Sequence, residues 1–249
     1  MSRASFTSFD GAALSYRIEG EGRPVLMLHG FLANSRFNWI EPGIAQAIAD
    51  AGFQAIMLDL RGHGHSAASE DPADYPPDVL ARDGEALIAH LGLSDYDLVG
   101  YSLGARTAVR MLVAGARPRR CVLGGMGFSG IVGSQERVAY FKDAIENGEH
   151  SKHPQGANII RAMIERARLK PKAMLNVLAA QLATDAEALR TIETPILVVS
   201  GNDDNDNGSA EDLAAALPHA RAMRVPGNHL SAVQSPELAQ AIVSFLKEA

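Results

Sequence analysis

Gly100-Tyr101-Ser102-Leu103-Gly104 is the segment of this 249-residue chain whose residue types and spacing are best suited to covalent chemistry. It stands between an apolar run that ends at Val99 and a helical pattern that begins near Leu103. A serine on so sharp a strand-to-helix turn adopts strained backbone angles. Glycines two residues to either side leave room for the turn and for close helix–strand packing. The turn pushes the hydroxyl into a cleft. It also puts the Leu103 N–H at a helix N-terminus, aimed at a developing oxyanion. The expected chemistry is acyl transfer through Ser102. The five letters alone arise easily by chance, so their placement between strand and helix carries the inference.

A serine hydroxyl is a poor nucleophile until a base takes its proton. Of the eight histidines, His229 lies in Pro226-Gly227-Asn228-His229-Leu230, after the final strand pattern and before the final helix. That places it on a loop at the same sheet edge as Ser102. His90, His150, His153 and His219 fall on helices or exposed loops. The imidazole needs an acid to fix its tautomer and stabilise its charge. Asp203, Asp204 and Asp206 all crowd the loop that follows the apolar run Pro195–Val199, and spacing alone leaves the three open.

The elements that must position these groups follow from hydrophobic pattern. Ser5–Asp10 and Leu14–Ile18 alternate and read as an antiparallel hairpin. Pro24–Leu28, Ala55–Leu58, Asp97–Val99, Cys121–Leu123, Pro195–Val199 and Ala222–Val225 are short runs, mostly apolar, that suit strands buried on both faces. Helical patterns alternate with them: Ile44–Ala51, Asp78–Leu91, Leu103–Ala114, Glu211–Leu217 and Pro236–Lys247. The fold class is therefore α/β, a mostly parallel doubly wound sheet with an N-terminal antiparallel hairpin. Between Met126 and about Ala188 no strand pattern occurs. Glu136–Glu146, Ala157–Leu169 and Lys172–Leu182 read as helices of a cap inserted over the carboxyl edge of the sheet. The expected division is a core of residues 1–127 and 189–249 with a helical cap insertion at 128–188. Phe128, Tyr140, Phe141 and Met163 are the cap residues expected to line an apolar substrate pocket.

Together these motifs resemble the α/β-hydrolase-fold serine hydrolases, of the esterase-like kind. His29-Gly30-Phe31 resembles the family's oxyanion loop, which implies the Phe31 N–H as a second donor beside Leu103. Asp59-Leu60-Arg61-Gly62-His63-Gly64-His65-Ser66 resembles the family's turn after the next strand. In that family the acid commonly lies three residues after a glycine closing the penultimate strand. This selects Asp204, with Asp203 second and Asp206 third. The order Ser102, Asp204, His229 is also the family's order. The similarity spans nearly the whole chain, the helical insertion excepted. It implies a cofactor-free enzyme that cleaves a carboxylic ester or related acyl substrate. Thioester, lactone or C–C bond hydrolysis, perhydrolysis and acyl transfer are the same-triad alternatives, and a non-catalytic ligand-binding protein is the other class. Haloalkane dehalogenases and epoxide hydrolases of this fold carry an aspartate where Ser102 stands.

Composition narrows the partners. The net charge is −6 and the pI is about 5.7, a poor match for nucleic acid, which demands a basic patch. No stretch of about 20 apolar residues suggests a membrane span. Met1-Ser2-Arg3-Ala4-Ser5-Phe6 lacks a signal-peptide pattern, so a cytoplasmic location is expected. The single cysteine, Cys121, sits in an apolar run and reads as core. Gly62-His63-Gly64-His65-Ser66-Ala67 opens no helix, against a dinucleotide fingerprint, and the two histidines read as turn residues. Asp203–Gly208 partly mimics a calcium loop, but Ala214 stands where a bidentate glutamate is needed, so no metal is expected. Trp39 reads as core. Residues 128–183 carry eight Lys/Arg against five Asp/Glu, which leaves a preference for anionic substrates open. No feature speaks to oligomeric state.

Overall fold

The computed structural model describes residues 1–133 and 135–248. Eight strands form one sheet: β1 (Ser2–Thr7), β2 (Ala13–Glu19), β3 (Arg23–Leu28), β4 (Phe53–Leu58), β5 (Asp97–Tyr101), β6 (Cys121–Gly124), β7 (Ile196–Gly201) and β8 (Ala220–Val225). Their order is β1-β2-β4-β3-β5-β6-β7-β8. The pairings β1–β2 and β2–β4 are antiparallel, and all others are parallel. The first strand ends at Thr7, not near Asp10 as its alternation suggested. Residues 8–12 make the turn instead, with the Ser8 N–H donating to the Ala12 carbonyl at 2.8 Å and the Ala12 N–H donating to Asp10 Oδ1 at 3.2 Å.

The two-residue side-chain period explains why the central runs are apolar without a break. On β3, Leu26 and Leu28 pack on one face while Val25 and Met27 pack on the other. On β4, Ile56 and Leu58 oppose Ala55 and Met57 in the same way. Both faces are covered by helix, so hydrophobic residues are needed at every position. Helices α1 (Ile44–Asp50), α2 (Val79–Leu91) and α3 (Leu103–Ala114) link the strands up to β6. Trp39, with no exposed surface, lies in the core layer with α1, inside a wide helical turn at Arg36–Ile40 that periodicity does not reveal.

Five helices fill the stretch between β6 and β7: α4 (Phe128–Val132), α5 (Gln135–Asn147), α6 (Pro154–Ala167), α7 (Pro171–Ala179) and α8 (Ala186–Leu189). No strand occurs there among the described residues. Pro154 and Pro171 start α6 and α7, where a missing N–H and a fixed φ are tolerated. Helices α9 (Ala210–Ala216) and α10 (Pro236–Leu246) complete the chain. Among the described residues no helix is long and apolar enough to cross a membrane.

The sheet order reverses between β3 and β5. From β3 the chain moves to β4 on one side, then returns to lay β5 on the other. Loops leaving the carboxyl ends of β3 and β5 therefore diverge and open a crevice, the usual ligand position in a doubly wound sheet.

Candidate active site

Ser102 occupies the turn from β5 to α3 with φ +52° and ψ −112°. Such backbone angles in a residue bearing a Cβ cost about 1–3 kcal/mol and persist only where the surroundings impose them. The surroundings here are close-packed. A Cβ on Gly104 would meet the Leu28 carbonyl oxygen at 1.9 Å, and one on Gly100 would meet the Gly104 carbonyl oxygen at 2.3 Å. Only glycine lets α3 approach β3 and β5 this closely. The Ser102 N–H donates to the Gly124 carbonyl at 2.8 Å, which ties the turn to β6.

The imidazole of His229 reaches both partners. Its Nε2 lies 2.9 Å from Ser102 Oγ, and its Nδ1 lies 2.9 Å from Asp204 Oδ2. Asp204 is almost fully buried, whereas Asp203 and Asp206 are exposed. Burial pushes the Asp204 carboxyl up. The hydrogen bond and charge of His229 and the Asp206 N–H outweigh it, and the group is held below the usual carboxylate range. An ionised Asp204 accepts from Nδ1–H, so Nε2 faces Ser102 as a proton acceptor. The Asp206 carboxylate is turned to Arg137 of α5, at 3.3 Å. The three groups Asp204, Asp206 and His229 offer atoms within 4.8 Å of one another. However, Arg137 already supplies the cation at Asp206, and His229 Nδ1 is committed to Asp204.

Phe31 and Leu103 line the cavity that Ser102 borders. Leu103 is the first residue of α3, so its N–H lies among the unpaired donors of a helix N-terminus. Phe31 follows Gly30 in the loop after β3, and both residues line the same cavity as Ser102. Gly30 is fixed from two sides. Its N–H donates to Asn38 Oδ1 at 2.9 Å. Its carbonyl lies 2.8 Å from His29 Nδ1, while His29 Nε2 accepts the Leu60 N–H at 3.0 Å. That network assigns the proton to Nδ1, and burial lowers the His29 pKa against the opposing influence of Asp59 and the Gly30 carbonyl.

The cavity encloses about 510 Å³. Tyr140, Phe141, Met163 and Ile160 line it, as do Phe37 and Leu178, which sequence patterning did not single out. Phe128 is not among its lining residues. It opens α4, a single short helix, packs against the core, and its N–H donates to the Ser209 carbonyl at 3.0 Å, which ties it to the start of α9. Arg106, Arg137 and Arg166 also border the cavity. Arg106 ties α3 to the helical stretch between β6 and β7 by donating to the carbonyls of Gly130 at 2.5 Å and Leu182 at 3.1 Å. Neither Asn38 nor Tyr101 was legible as a site residue, since each acts through a backbone group whose location only the fold reveals.

Comparison with known proteins agrees with the architecture. The family model described as the alpha/beta hydrolase fold matches residues 23–121, which include the loop after β3 and the Ser102 turn. A non-heme haloperoxidase from Rhodococcus erythropolis is 26% identical over 97% of this chain and 98% of its own length. The non-heme chloroperoxidase CPO-A1 from Kitasatospora aureofaciens is 38% identical over 42% of this chain, a match that spans only 36% of that relative. Among solved structures, an esterase from Rhodococcus sp. ECU1013 superimposes with a TM-score of 0.78 at 25% identity, covering 100% of this chain and 99% of the esterase. The chain has the α/β-hydrolase fold. Its homologues include esterases and non-heme haloperoxidases.

Proposed function

We propose that the protein is a serine hydrolase that cleaves carboxylic esters through an acyl-enzyme on Ser102. The observation that carries this is the continuous relay from Ser102 Oγ to His229 Nε2 and from His229 Nδ1 to Asp204, each step 2.9 Å long. An ester bound in the cavity presents its carbonyl carbon to Ser102 Oγ. His229 takes the hydroxyl proton as the C–O bond forms. Asp204 stabilises the resulting imidazolium and holds its orientation. The carbonyl oxygen becomes an oxyanion between the N–H groups of Phe31 and Leu103, donors fixed in place before the charge develops. Collapse of the tetrahedral adduct breaks the ester bond, and His229 gives its proton to the leaving alcohol. A water then repeats the sequence on the acyl-enzyme and releases the acid.

The largely apolar wall around Phe31, Phe141 and Met163 suits an apolar acyl or alcohol group, and the bordering arginines suit an additional carboxylate on the substrate. A second reading draws support from the haloperoxidase relative that spans nearly the whole chain. In perhydrolysis, hydrogen peroxide replaces water as the attacking group on the same acyl-enzyme and releases a peroxyacid, with no further residue required.

Ser102→Ala is expected to abolish hydrolysis of a short p-nitrophenyl ester while leaving the fold intact by circular dichroism. A fluorophosphonate probe is expected to label Ser102 in the wild type. Undiminished turnover in the variant would sink the assignment, and an unlabelled wild type that binds small molecules would favour a receptor.

A further inference from the structure

We infer that Asn38 is a positioning residue for the acyl-transfer reaction, one that sets the direction of the Phe31 N–H by holding the preceding peptide. The inference rests on the proposed serine-hydrolase reading. Asn38 is 4% exposed and borders the cavity. Its Oδ1 accepts the Gly30 N–H at 2.9 Å, so the amide orientation is fixed by a donor that cannot be reversed. Its Nδ2 is buried and, among the described residues, has no hydrogen-bond partner. A side chain selected for stability alone would not leave an amide N–H₂ in that state, because a buried unpaired donor retains the full cost of leaving water. Local choices that oppose stability concentrate where function requires them.

The geometry identifies that function. A Cβ placed on Gly30 would lie 3.4 Å from Asn38 Oδ1 and 3.5 Å from Ser102 Cβ. Gly30 is thus the thin spacer between the Asn38 amide and the nucleophile. The Gly30 carbonyl and the Phe31 N–H belong to one rigid peptide plane. His29 holds the carbonyl end of that plane. Asn38 holds the other side of Gly30, through its N–H. With both restraints present, rotation of the plane about the Gly30 backbone is restricted, and with it the direction of the Phe31 N–H. Without Asn38, Gly30 keeps the contacts at its carbonyl, with His29 Nδ1 and with the Ala33 N–H at 3.4 Å, but a glycine bearing no side chain loses the hold on its own N–H. An oxyanion donor works by being oriented before the charge appears, so the loss falls on the transition state more than on substrate binding.

Two variants test this, Asn38→Ala and Asn38→Leu. Leu removes the unpaired N–H₂ and nearly conserves volume, while Ala is the smaller and safer replacement. Each is purified as the full chain and assayed for p-nitrophenyl acetate hydrolysis, thermal unfolding and fluorophosphonate labelling of Ser102. The expected result is a fall in kcat of about tenfold or more in both variants, with KM within about twofold and with Asn38→Leu unfolding close to the wild-type temperature. A kcat within about twofold of wild type in a folded variant overturns the proposal. So does a loss of activity that merely tracks the fraction of folded protein. Failure of the underlying reading gives a different result: wild-type protein that is neither labelled at Ser102 nor active on the ester.

Discussion

The Tyr101 hydroxyl donates a 2.8 Å hydrogen bond to the backbone carbonyl of His229, 128 residues away in sequence. Tyr101 directly precedes Ser102, and its ring lies 5.7 Å from the His229 ring, centroid to centroid. The last residue of β5 therefore also holds the loop that bears His229. Burial, and then the nearby Asp204 and Asp206 charges, push the phenol well above its ordinary pKa, so it remains a donor throughout the working range. Space for the ring comes from Gly124 and Gly125, where added Cβ atoms would meet it at 2.7 and 2.8 Å.

Tyr101→Phe tests this link with one atom removed. The His229 carbonyl loses its partner in a buried setting, at a cost of about 1–3 kcal/mol, and the loop gains freedom at the point where Nε2 must meet Oγ. We expect kcat for ester hydrolysis to fall about tenfold, equivalent to about 1.4 kcal/mol of barrier, with KM little changed. Equal kcat values for the two proteins would show that the remaining contacts of the His229 loop suffice to hold it.

The contrast between Tyr101 and Ser102 shows what sequence can convey. Ser102, Leu103, Phe31 and His229 fall where apolar runs give way to loops or helix starts, so residue type plus strand order brings them to one edge. Asp204 is harder. Three aspartates share its loop, and spacing alone does not separate them; the family resemblance points to Asp204, and in the fold Asp204 turns inward to His229 while Asp206 turns to Arg137. Asn38 and Tyr101 are harder still, because their partners are main-chain atoms carrying no letter in the sequence. Phe128 fails for another reason. Its position in the inserted helices suggested a pocket wall, but α4 is only one turn or so long and faces Ser209. The sheet itself was legible because burial on both faces demands continuous apolar runs, and β1 was displaced because turn chemistry at 8–12 overrode a weak alternation.

Arg61 offers a test of stability separate from catalysis. Its guanidinium contacts Asp83 at 2.7 Å and Asp10 at 2.6 Å, and donates to the Asp74 carbonyl at 2.7 Å. Asp83 has no exposed surface. Burial raises its pKa, opposed by the hydrogen bonds from Arg61 and Ser8. Removing the cation leaves a carboxylate in the interior without its counter-charge. Arg61→Ala is expected to destabilise the fold by about 3–5 kcal/mol, measured by urea unfolding. The double variant Arg61→Met with Asp83→Leu is expected to be more stable than Arg61→Ala, since it removes the stranded charge as well. A single variant with wild-type stability would refute the role given to this ion pair.

Acid sensitivity is expected to centre on His63. This residue is 1% exposed, its ring lies 5.0 Å from that of His29 and 6.0 Å from that of Phe31, and its Nδ1 lies 3.0 Å from the Arg61 carbonyl. Burial and then the adjacent His29 lower the pKa from 6.5 to about 3, outweighing the Arg61 carbonyl, Asp59 and the Leu60 carbonyl, which favour the charged form. In the unfolded chain the imidazole takes up a proton near its ordinary pKa, while in the folded chain it stays neutral until about pH 3. The unfolded state therefore binds more protons across that interval, and stability falls as pH drops from about 6.5 toward 3. The neighbouring Asp59 acts on both histidines, so its charge softens the effect without reversing it. His63→Phe keeps a ring in place but cannot bind a proton. Its stability at neutral pH is expected to be lower, because the Arg61 carbonyl loses its partner, yet its decline with acid is expected to be shallower than that of the wild type. Unfolding free energies measured by urea titration between about pH 4 and 7 decide the matter: parallel curves for the two proteins would remove His63 as the source of the acid lability.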